Sequence, residues 1–337
     1  MEKKLTGFSI MMKRTLMYFF MAGFFVTGFS ALILAQEYPT QPITMVIGTV
    51  AGGLPDVAGR VLADETKKLL GVDILVMNKP GANTTVGMSY VISKPPDGYT
   101  LGSGSDVVYL RAPHMLNLNF NPITDSLPIM YYANIHSFFV AREDSPFRTF
   151  KEVIDFAREN PGKLTYGDSG IGTNFYLGFA GLALQMGFKF THIPHPGDAP
   201  TITALLGGHI MVAGLSSGTC VPQIKAGKIR LLAVVDGDKR LEAYPQVPTF
   251  YEFSRDVIPS PGLIIFGPKG LPLPIVKKLE DAFSKASQSP GFKKWAVDNE
   301  VYPLKKYIIR QELRDYLEAE YKKTGEQYRR LGVKPQS

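Results

Sequence analysis

The sequence predicts an α/β protein made of two similar halves. Short apolar segments alternate with helical segments from Pro42 onward, and a second series of the same kind follows Ile135. Small-residue loops connect many of the apolar segments to the helix that comes next. Repetition of strand, loop and helix is typical of βαβ units, so we expect a parallel sheet in each half.

The first half begins with a buried strand and an amphipathic helix. Apolar residues at helical spacing indicate this helix, and Gly71 is expected to end it. Two more strands and a short helix follow, the helix ending at Pro95 and Pro96. In chain order the predicted segments are PITMVIG, DVAGRVLADETKKLLG, VDILVMN, GMSYVISKP and GYTLGSGS.

The second half repeats this arrangement. Its first strand is SFFVARED, and the helix after it is predicted to begin at Thr149, with Glu152 completing a capping box. Near the C-terminus one strand, LIIFGPKG, precedes two predicted amphipathic helices. These two helices are PLPIVKKLEDAFSKASQSPGFKKWAVDN and RQELRDYLEAEYKKTGEQYRRLG.

The chain is predicted to cross between the halves twice, near Ile135 and near Pro259. These crossings define a discontinuous first domain of residues 36–135 plus 256–337. Residues 136–255 form the second domain.

The N-terminus has the pattern of a secretory signal peptide. A basic start, MEKKLTGFSIMMKR, is followed by an apolar run that ends at Ala35. We interpret residues 1–35 as a leader that is cleaved near Gln36, which predicts a periplasmic protein. The alternative is an uncleaved membrane anchor, because the run has about the ~20 residues that span a bilayer.

Composition excludes several classes of protein. The leader carries three of the seven surplus positive charges, so the remainder is only mildly basic and shows no nucleic-acid stripe. Cys220 is the only cysteine, which rules out an intramolecular disulfide and a cysteine zinc site. Acidic residues are spread mainly along predicted helix faces, where we expect them to be solvated.

The stretch GTVAGGLPD lies between the first predicted strand and helix. It lacks the Gly-Lys-Ser/Thr of a P-loop, and its glycines do not have dinucleotide-fingerprint spacing. Small residues before a helix N-terminus can still expose backbone N–H groups to an anion such as a carboxylate. Asp56 is placed either to cap this helix or to contact the ligand.

Two other patterns suggest chemistry that the sequence does not support. The segment YGDSGIG resembles a serine nucleophile region, but no histidine base in a known arrangement accompanies Ser169. His192 stands on a predicted strand and His195 at its exit. A spacing of three residues there directs the two side chains to opposite faces, which argues against their binding one metal ion together.

Small-residue loops recur at strand ends, where open α/β sheets bind their ligands. Because the two halves would face each other, we expect these loops to line one cleft. The five loops are Ala51 to Asp56, Gly81 to Thr85, Ser103 to Asp106, Ser169 to Asn174, and Gly214 to Gly218.

The ordered set of motifs resembles the solute-binding proteins of tripartite tricarboxylate transporters, the Bug receptors. The motifs are YPTQPI, GTVAGGLPD, NKPGANTT, PDGYTL, ENPGKLTYGDSGIGT, LLGGHIMVAG, IKAGKIRLLAV, VPTFYE and FGPKGLPLPIVKKL. The resemblance extends from Tyr38 to the C-terminus. It implies a two-domain periplasmic-binding-protein fold of type II, the Venus flytrap, with two crossing strands. It also implies a small carboxylate ligand, no metal or cofactor, a monomer, and large and small membrane subunits as partners.

The resemblance and the loops together assign a set of predicted ligand-binding residues. They are Gly52, Gly53, Asp56, Asn83, Thr84, Ser103, Ser105, Ser169, Gly172, Thr173, Asn174, His195, Gly197 and Ser216.

Some positions depart from the family pattern. Ala51 replaces a proline, Asn83 and Thr84 stand where small residues are common, and His195-Pro196 replaces Tyr-Lys. Loss of that lysine favours a monocarboxylate, an aromatic acid or a neutral ligand over a tricarboxylate. Two other functions stay open: a secreted or tethered hydrolase using the same cleft, and a ligand sensor for a membrane signalling partner.

Overall fold

Two β-sheets organise the chain, and each belongs to one of the predicted halves. The computed structural model describes residues 38–171, 173–254 and 261–333, with only the backbone for 302–307. The strands are β1 Ile43–Ile47, β2 Ile74–Asn78, β3 Thr100–Ser105, β4 Ser126–Ile135, β5 Ser137–Arg142, β6 Thr165–Asp168, β7 Thr191–Pro194, β8 Val212–Ser216, β9 Ile229–Val234, β10 Gly262–Pro268 and β11 Val301–Ile309.

The first sheet has the order β2-β1-β3-β10-β4-β11, and the second has the order β7-β6-β8-β5-β9. We call each sheet with its helices a lobe. Within the first sheet β1, β2 and β3 are parallel, whereas β10 is antiparallel to both β3 and β4. In the second sheet β5 is antiparallel to β8 and β9. The sheets are therefore mixed rather than parallel, because strands that enter from the other lobe run against their neighbours.

The helices follow the strand ends. They are α1 Leu54–Leu70, α2 Thr85–Ile92, α3 Val107–Leu110, α4 Ala112–Met115, α5 Pro122–Asp125, α6 Phe150–Glu159, α7 Asn174–Met186, α8 Asp198–Leu206, α9 Ser217–Lys225, α10 Leu273–Ser287, α11 Pro290–Asp298 and α12 Arg310–Arg330. A 3₁₀ turn covers Phe250–Glu252.

The predicted helix signals are confirmed at two ends. The Thr149 hydroxyl accepts from the Glu152 N–H, and the Glu152 carboxylate accepts from the Thr149 N–H, which is the expected capping box. Gly71 ends α1 in the left-handed conformation, with φ of 73°. The segment predicted as one helix before residue 299 is instead two, because Ser289 accepts from the Phe292 N–H and begins α11.

Each lobe has its own apolar core. In the second lobe Phe139 is fully buried and packs against Phe150, Tyr166 and Phe179, with ring centroids 4.8–5.6 Å apart. Each such buried ring contributes about 1.5–3 kcal/mol relative to exposure. The first-lobe core includes Val46, Met88, Val108, Tyr131, Ile264 and Leu313.

A single residue, His136, connects the first sheet to the second between β4 and β5. Next to it, the Ile135 N–H donates to the Pro261 carbonyl at 2.8 Å, so the outgoing chain and the returning chain lie side by side. The predicted return point, Pro259, lies outside the described residues. In the described part of the chain no helix is both long enough and apolar enough to cross a membrane.

Candidate functional site

The carboxyl ends of the parallel strands carry six segments, which we call the cleft loops. They are residues 48–53, 79–84 and 103–106 in the first lobe, and residues 169–173, 195–197 and 214–218 in the second. Five of them overlap the predicted small-residue loops, and the segment 195–197 was not among those five. The prediction of a loop is wrong for most of two of them, because residues 103–105 belong to β3, 214–216 to β8 and 217–218 to α9. The two lobes touch where this edge of each sheet meets the other. A Cβ on Gly218 would lie 2.9 Å from Leu54 Cδ1, and the Ser217 hydroxyl donates to the Glu300 carbonyl at 2.9 Å.

Asp56 holds the first cleft loop from inside. Its buried carboxylate accepts from the Gly52 N–H at 2.9 Å, from Asn78 at 2.8 Å and from Arg60 at 3.0 Å. Burial alone would raise the pKa of Asp56, but the hydrogen bonds from Arg60, Gly52 and Asn78 outweigh it and lower the pKa. The N-cap is Gly53, so Asp56 sits in the first turn of α1 and ties the loop to β2.

The second cleft loop has an unusual backbone. Ala82, Asn83 and Thr84 all adopt positive φ, at 44°, 51° and 70°. Thr84 also packs against the first loop, because a Cβ on Gly48 would lie only 2.8 Å from the Thr84 Cβ. Glycine at position 48 therefore allows the two loops to meet, and left-handed non-glycine residues are typical of functional loops.

The serines of the third loop are turned in different directions. Ser103 is buried, and its hydroxyl lies 3.4 Å from the Tyr132 hydroxyl inside the first lobe. Ser105 is half-buried and accepts from the Val107 N–H at 3.4 Å. Of these two predicted residues, only Ser105 lies near the surface of the edge.

Asp168 holds the first cleft loop of the second lobe. It is fully buried, accepts from the Gly170 N–H at 2.7 Å and lies 2.8 Å from His192 Nε2. Ser169 is half-buried beside it, and Gly172 lies outside the described residues. Burial and the nearby Asp168 charge raise the pKa of Tyr166 well above its ordinary value.

Two predicted residues at the start of α7 act within the protein. Thr173 is the N-cap: its hydroxyl accepts from the Tyr176 N–H and donates to the Gly170 carbonyl. Asn174 is buried and donates its side-chain amide to the Ser137 hydroxyl. Both contacts fix α7 with its N-terminus at the cleft edge.

His195 and Gly197 form the turn between β7 and α8. The His195 N–H donates to the Asp168 carbonyl at 2.9 Å, while its ring atom Nε2 is buried with no hydrogen-bond partner among the described residues. Gly197 has φ of 112°, a conformation that favours glycine, and precedes α8 directly.

Asp198 joins this turn to the last cleft loop. Its carboxylate accepts from the Ser216 N–H at 3.0 Å, from the Ser216 hydroxyl and from the Thr219 hydroxyl at 3.1 Å. The hydroxyl of Ser216, a predicted ligand residue, is therefore bonded within its own lobe.

The same hydrogen-bonding arrangement occurs at the loop-bearing edge of both sheets. Five aspartates each accept a backbone N–H from a residue at the cleft edge, and we call them the edge aspartates. Apart from half-buried Asp198 they are almost fully buried. They are Asp56, Asp106, Asp168, Asp198 and Asp236, with N–H donors Gly52, Gly262, Gly170, Ser216 and Ser137.

Asp106 is the most deeply buried member next to an arginine. It accepts from the Gly262 N–H at 3.0 Å and the Tyr131 hydroxyl at 3.1 Å, and Arg111 Nη1 lies 4.0 Å away. Burial raises the pKa of Asp106 to about 6, although Arg111 and the hydrogen bonds oppose this shift.

The expectation that acidic residues are mainly solvated is wrong for this group, and sequence reasoning named only Asp56. The available signal was position: Asp168 ends a strand, Asp106 follows one, and Asp198 begins a helix. Within the described residues no cluster of three or more metal-ligating side chains is present.

The two lobes, joined by adjacent crossings with loops at facing strand ends, define a periplasmic-binding-protein fold. Residues 58–333 match the tripartite tricarboxylate transporter family receptor, TctC. The chain belongs to this family of solute-binding receptors.

Known proteins support the assignment. A Cupriavidus necator protein, UPF0065 protein in gbd 5'region, is 36% identical over 299 residues, covering 89% of this chain and 90% of that protein. The periplasmic binding protein BugD is 27% identical with a TM-score of 0.78, covering 89% of this chain and 100% of BugD. An R. palustris protein, Rpa4515, solved with adipate, shares the fold with a TM-score of 0.80 at 24% identity, covering 89% of this chain and 100% of that chain.

Proposed function

We propose that this receptor binds a small carboxylate between its lobes and delivers it to the membrane subunits of a tripartite tricarboxylate transporter. The observation that carries the proposal is that the loop-bearing edges of the two sheets meet, through the contact of Gly218 with Leu54 and the hydrogen bond from Ser217 to Glu300. Helices α1, α2, α7 and α8 begin directly after cleft loops and α9 begins directly after β8, so the positive ends of five helices lie at the cleft edge. Helix N-termini with exposed backbone N–H groups stabilise a carboxylate.

The edge aspartates support an anionic ligand in an indirect way. Carboxylates facing the ligand would repel an anion, but these five accept backbone hydrogen bonds from their own lobes. Arg60, Arg111, His192 and His136 accompany four of them. The carboxylates are thus engaged inside the lobes and hold the cleft edge in place, which is the preorganisation that tight binding needs.

We propose a mono- or dicarboxylate rather than a tricarboxylate. Pro196 stands where a lysine is typical, and the buried Nε2 of the neighbouring His195 lacks a hydrogen-bond partner among the described residues. A neutral imidazole can donate one hydrogen bond to a carboxylate, but it supplies no fixed positive charge. The adipate found in the R. palustris relative makes a dicarboxylate the first probe.

The test is thermal unfolding of residues 36–337 with adipate, malate, citrate, benzoate and the neutral diamide adipamide. A ligand bound only by the folded state adds about 2.7 kcal/mol at a hundredfold excess over Kd. We expect adipate, malate or benzoate to raise the midpoint, and adipamide to leave it unchanged. Stabilisation by adipamide alone, or none by any carboxylate, would contradict the proposal, as would chemical consumption of a bound compound.

Gly53→Ala tests the first cleft loop. Gly53 has φ of −70°, and a Cβ there would make only ordinary contact, 3.4 Å from the Val50 carbonyl oxygen. The fold therefore tolerates alanine, but the methyl group would stand beside the backbone donors. Losing a charge-assisted hydrogen bond should weaken affinity roughly tenfold or more. Gly181→Ala, where a Cβ meets nothing within 4 Å, is the matched control.

Export and domain limits complete the proposal. We propose that residues 1–35 are cleaved in the periplasm, that residues 36–135 plus 256–337 and residues 136–255 are the two domains, and that the receptor is a monomer without enzymatic activity. Mass measurement of the periplasmic protein should find Gln36 at its N-terminus. A membrane-bound protein of the full 37.1 kDa would instead indicate an uncleaved anchor.

A further inference from the structure

The N-terminus of α9 is where the second lobe contacts the first at two separate points. The Ser217 hydroxyl donates to the carbonyl of Glu300, which precedes β11, at 2.9 Å. Gly218 packs on Leu54, the first residue of α1. Two adjacent residues therefore bridge the lobes without belonging to the predicted ligand set.

Ser217 is also bonded to the crossing between the lobes. Its backbone N–H donates to the carbonyl of His136, the single residue between β4 and β5, at 2.9 Å. The Ser217 side chain is fully buried, while Glu300 is half-buried, so the hydrogen bond between them is partly buried. Breaking a buried hydrogen bond leaves a desolvated donor and acceptor, which makes this contact sensitive to the lobe arrangement.

Gly218 is not explained by its own backbone conformation, because its φ lies outside the left-handed range. A Cβ would approach Leu54 Cδ1 to 2.9 Å and Cδ2 to 3.2 Å. Absence of a side chain at this position is what lets the two lobes approach to contact.

Glu300 adds a strained partner. Its φ of 50° is uncommon for a residue other than glycine. The hydrogen bond from Ser217 to its carbonyl helps to hold this conformation while the lobes are together.

We propose that Ser217 and Gly218 form a latch that determines solute affinity without touching the solute, by stabilising the closed arrangement of the lobes. This inference rests on the proposed function, since it supposes that solute binds between the lobes. The apparent affinity then scales with the fraction of receptor that is closed. Both residues act as positioning residues.

The first experiment compares Ser217→Ala with Ser287→Ala by calorimetric titration of adipate. Both serines are fully buried, but the Ser287 hydroxyl donates to the Ser284 carbonyl within α10. Loss of the latch bond should weaken adipate affinity about fivefold, since a net hydrogen bond is worth about 1 kcal/mol. Ser287→Ala should bind adipate like the unmodified protein.

The second experiment needs no ligand. Gly218→Leu should push the lobes apart and raise the radius of gyration measured by X-ray scattering. In the double variant Gly218→Leu, Leu54→Ala the space is restored, so the radius of gyration should return toward the starting value. Far-UV circular dichroism should be the same for all variants.

The two experiments fail separately. If the unmodified protein does not bind adipate, malate, citrate or benzoate, the proposed function fails, while scattering still tests the latch. If Gly218→Leu leaves the radius of gyration unchanged, the latch is wrong. It is also wrong if Ser217→Ala binds adipate as tightly as Ser287→Ala does.

Discussion

In both lobes aspartates hold the cleft loops, but the basic side chain beside the aspartate is arginine in the first lobe and histidine in the second. In the first lobe Asp56 and Asp106 are accompanied by Arg60 and Arg111. In the second lobe Asp168 lies 2.8 Å from His192, and Asp236 lies 2.8 Å from His136. Asp198 has only hydroxyl and backbone N–H partners among its described hydrogen bonds.

This difference has a chemical consequence. Arginine stays protonated at every accessible pH, whereas the imidazole group changes charge near neutrality. The loops of the first lobe are therefore anchored by permanent positive charges. Those of the second lobe depend more on hydrogen bonds, so the two edges should respond differently to substitution.

The largest effect should come from Asp106. Its pKa of about 6 in the folded protein, against 3.8 ordinarily, means that the folded state holds this proton more tightly. The resulting stability is complete below about pH 4 and is lost as pH rises through 6, by up to about 3 kcal/mol. Urea unfolding of the unmodified protein and Asp106→Asn between pH 4 and 7.5 measures this.

In that experiment the free-energy difference between the two proteins should change with pH in this window. The variant keeps an acceptor for the Gly262 N–H but lacks the titration and the charge that faces Arg111. A difference that is constant from pH 4 to 7.5 would show that Asp106 does not hold its proton as described.

Asp56→Ala should have the next largest effect. It removes the acceptor for the Gly52 N–H, Asn78 and Arg60, so unfolding free energy should fall by about 2 kcal/mol at pH 7. Because the pKa of Asp56 is lowered, its contribution is present above the ordinary carboxyl pKa and is lost as pH falls through the folded value. Carboxylate affinity should fall as the loop loosens, as titration calorimetry will show.

Asp97→Ala is the control for that change, because its carboxylate accepts only the nearby Tyr99 N–H on the protein surface. If Asp56→Ala loses stability but binds carboxylate with unchanged affinity, Asp56 serves the helix and not the site.

In the second lobe His192→Gln should cost less. The glutamine amide can still donate to Asp168, so we expect a loss of about 1 kcal/mol in unfolding free energy at pH 7. Chemical denaturation of this variant beside Asp56→Ala compares the two lobes directly. A larger loss for His192→Gln would reverse the proposed ranking of the lobes.

The smallest effect should come from removing the side-chain cap of α7, so that α7 begins as α1 does. Helix α1 begins at Gly53 without a side-chain cap, whereas α7 is capped by Thr173. Thr173→Gly should lower the free energy of unfolding by only about a few tenths of a kcal/mol. Thr173→Ala should cost about 1 kcal/mol, and equal losses for the two variants would mean that the hydroxyl is not the cap.

The sequence was sufficient for elements that local patterns define. Strand β1 and helix α1 were predicted from an apolar run and helical periodicity, and the capping box of α6 from two residues. Strands β4 and β11 were missed. Strand β4 is apolar on both faces, so it has no alternating pattern that identifies a strand. Strand β11 contains Pro303 and two lysines, which are uncommon in strands.

The candidate site was harder to predict for a physical reason. Two of the edge aspartates accept from donors that only the fold brings near: Asp106 from Gly262 at the start of β10, and Asp236 from Ser137 at the start of β5. Local spacing contains no trace of pairs that are separated by about a hundred residues or more. The roles of the predicted ligand residues therefore stay predictions, and the buried Ser103 and the bonded Ser216 are the first to examine.

His136 has one more consequence, in terms of rotatable bonds. A one-residue connection contains only two soft backbone torsions, and its carbonyl and side chain are both bonded to the second lobe. The returning chain is bonded next to His136, where the Ile135 N–H donates to the Pro261 carbonyl. Few backbone torsions at this crossing can change the relative orientation of the lobes, so the length of a bound solute would be converted into an opening angle for a membrane partner to sense.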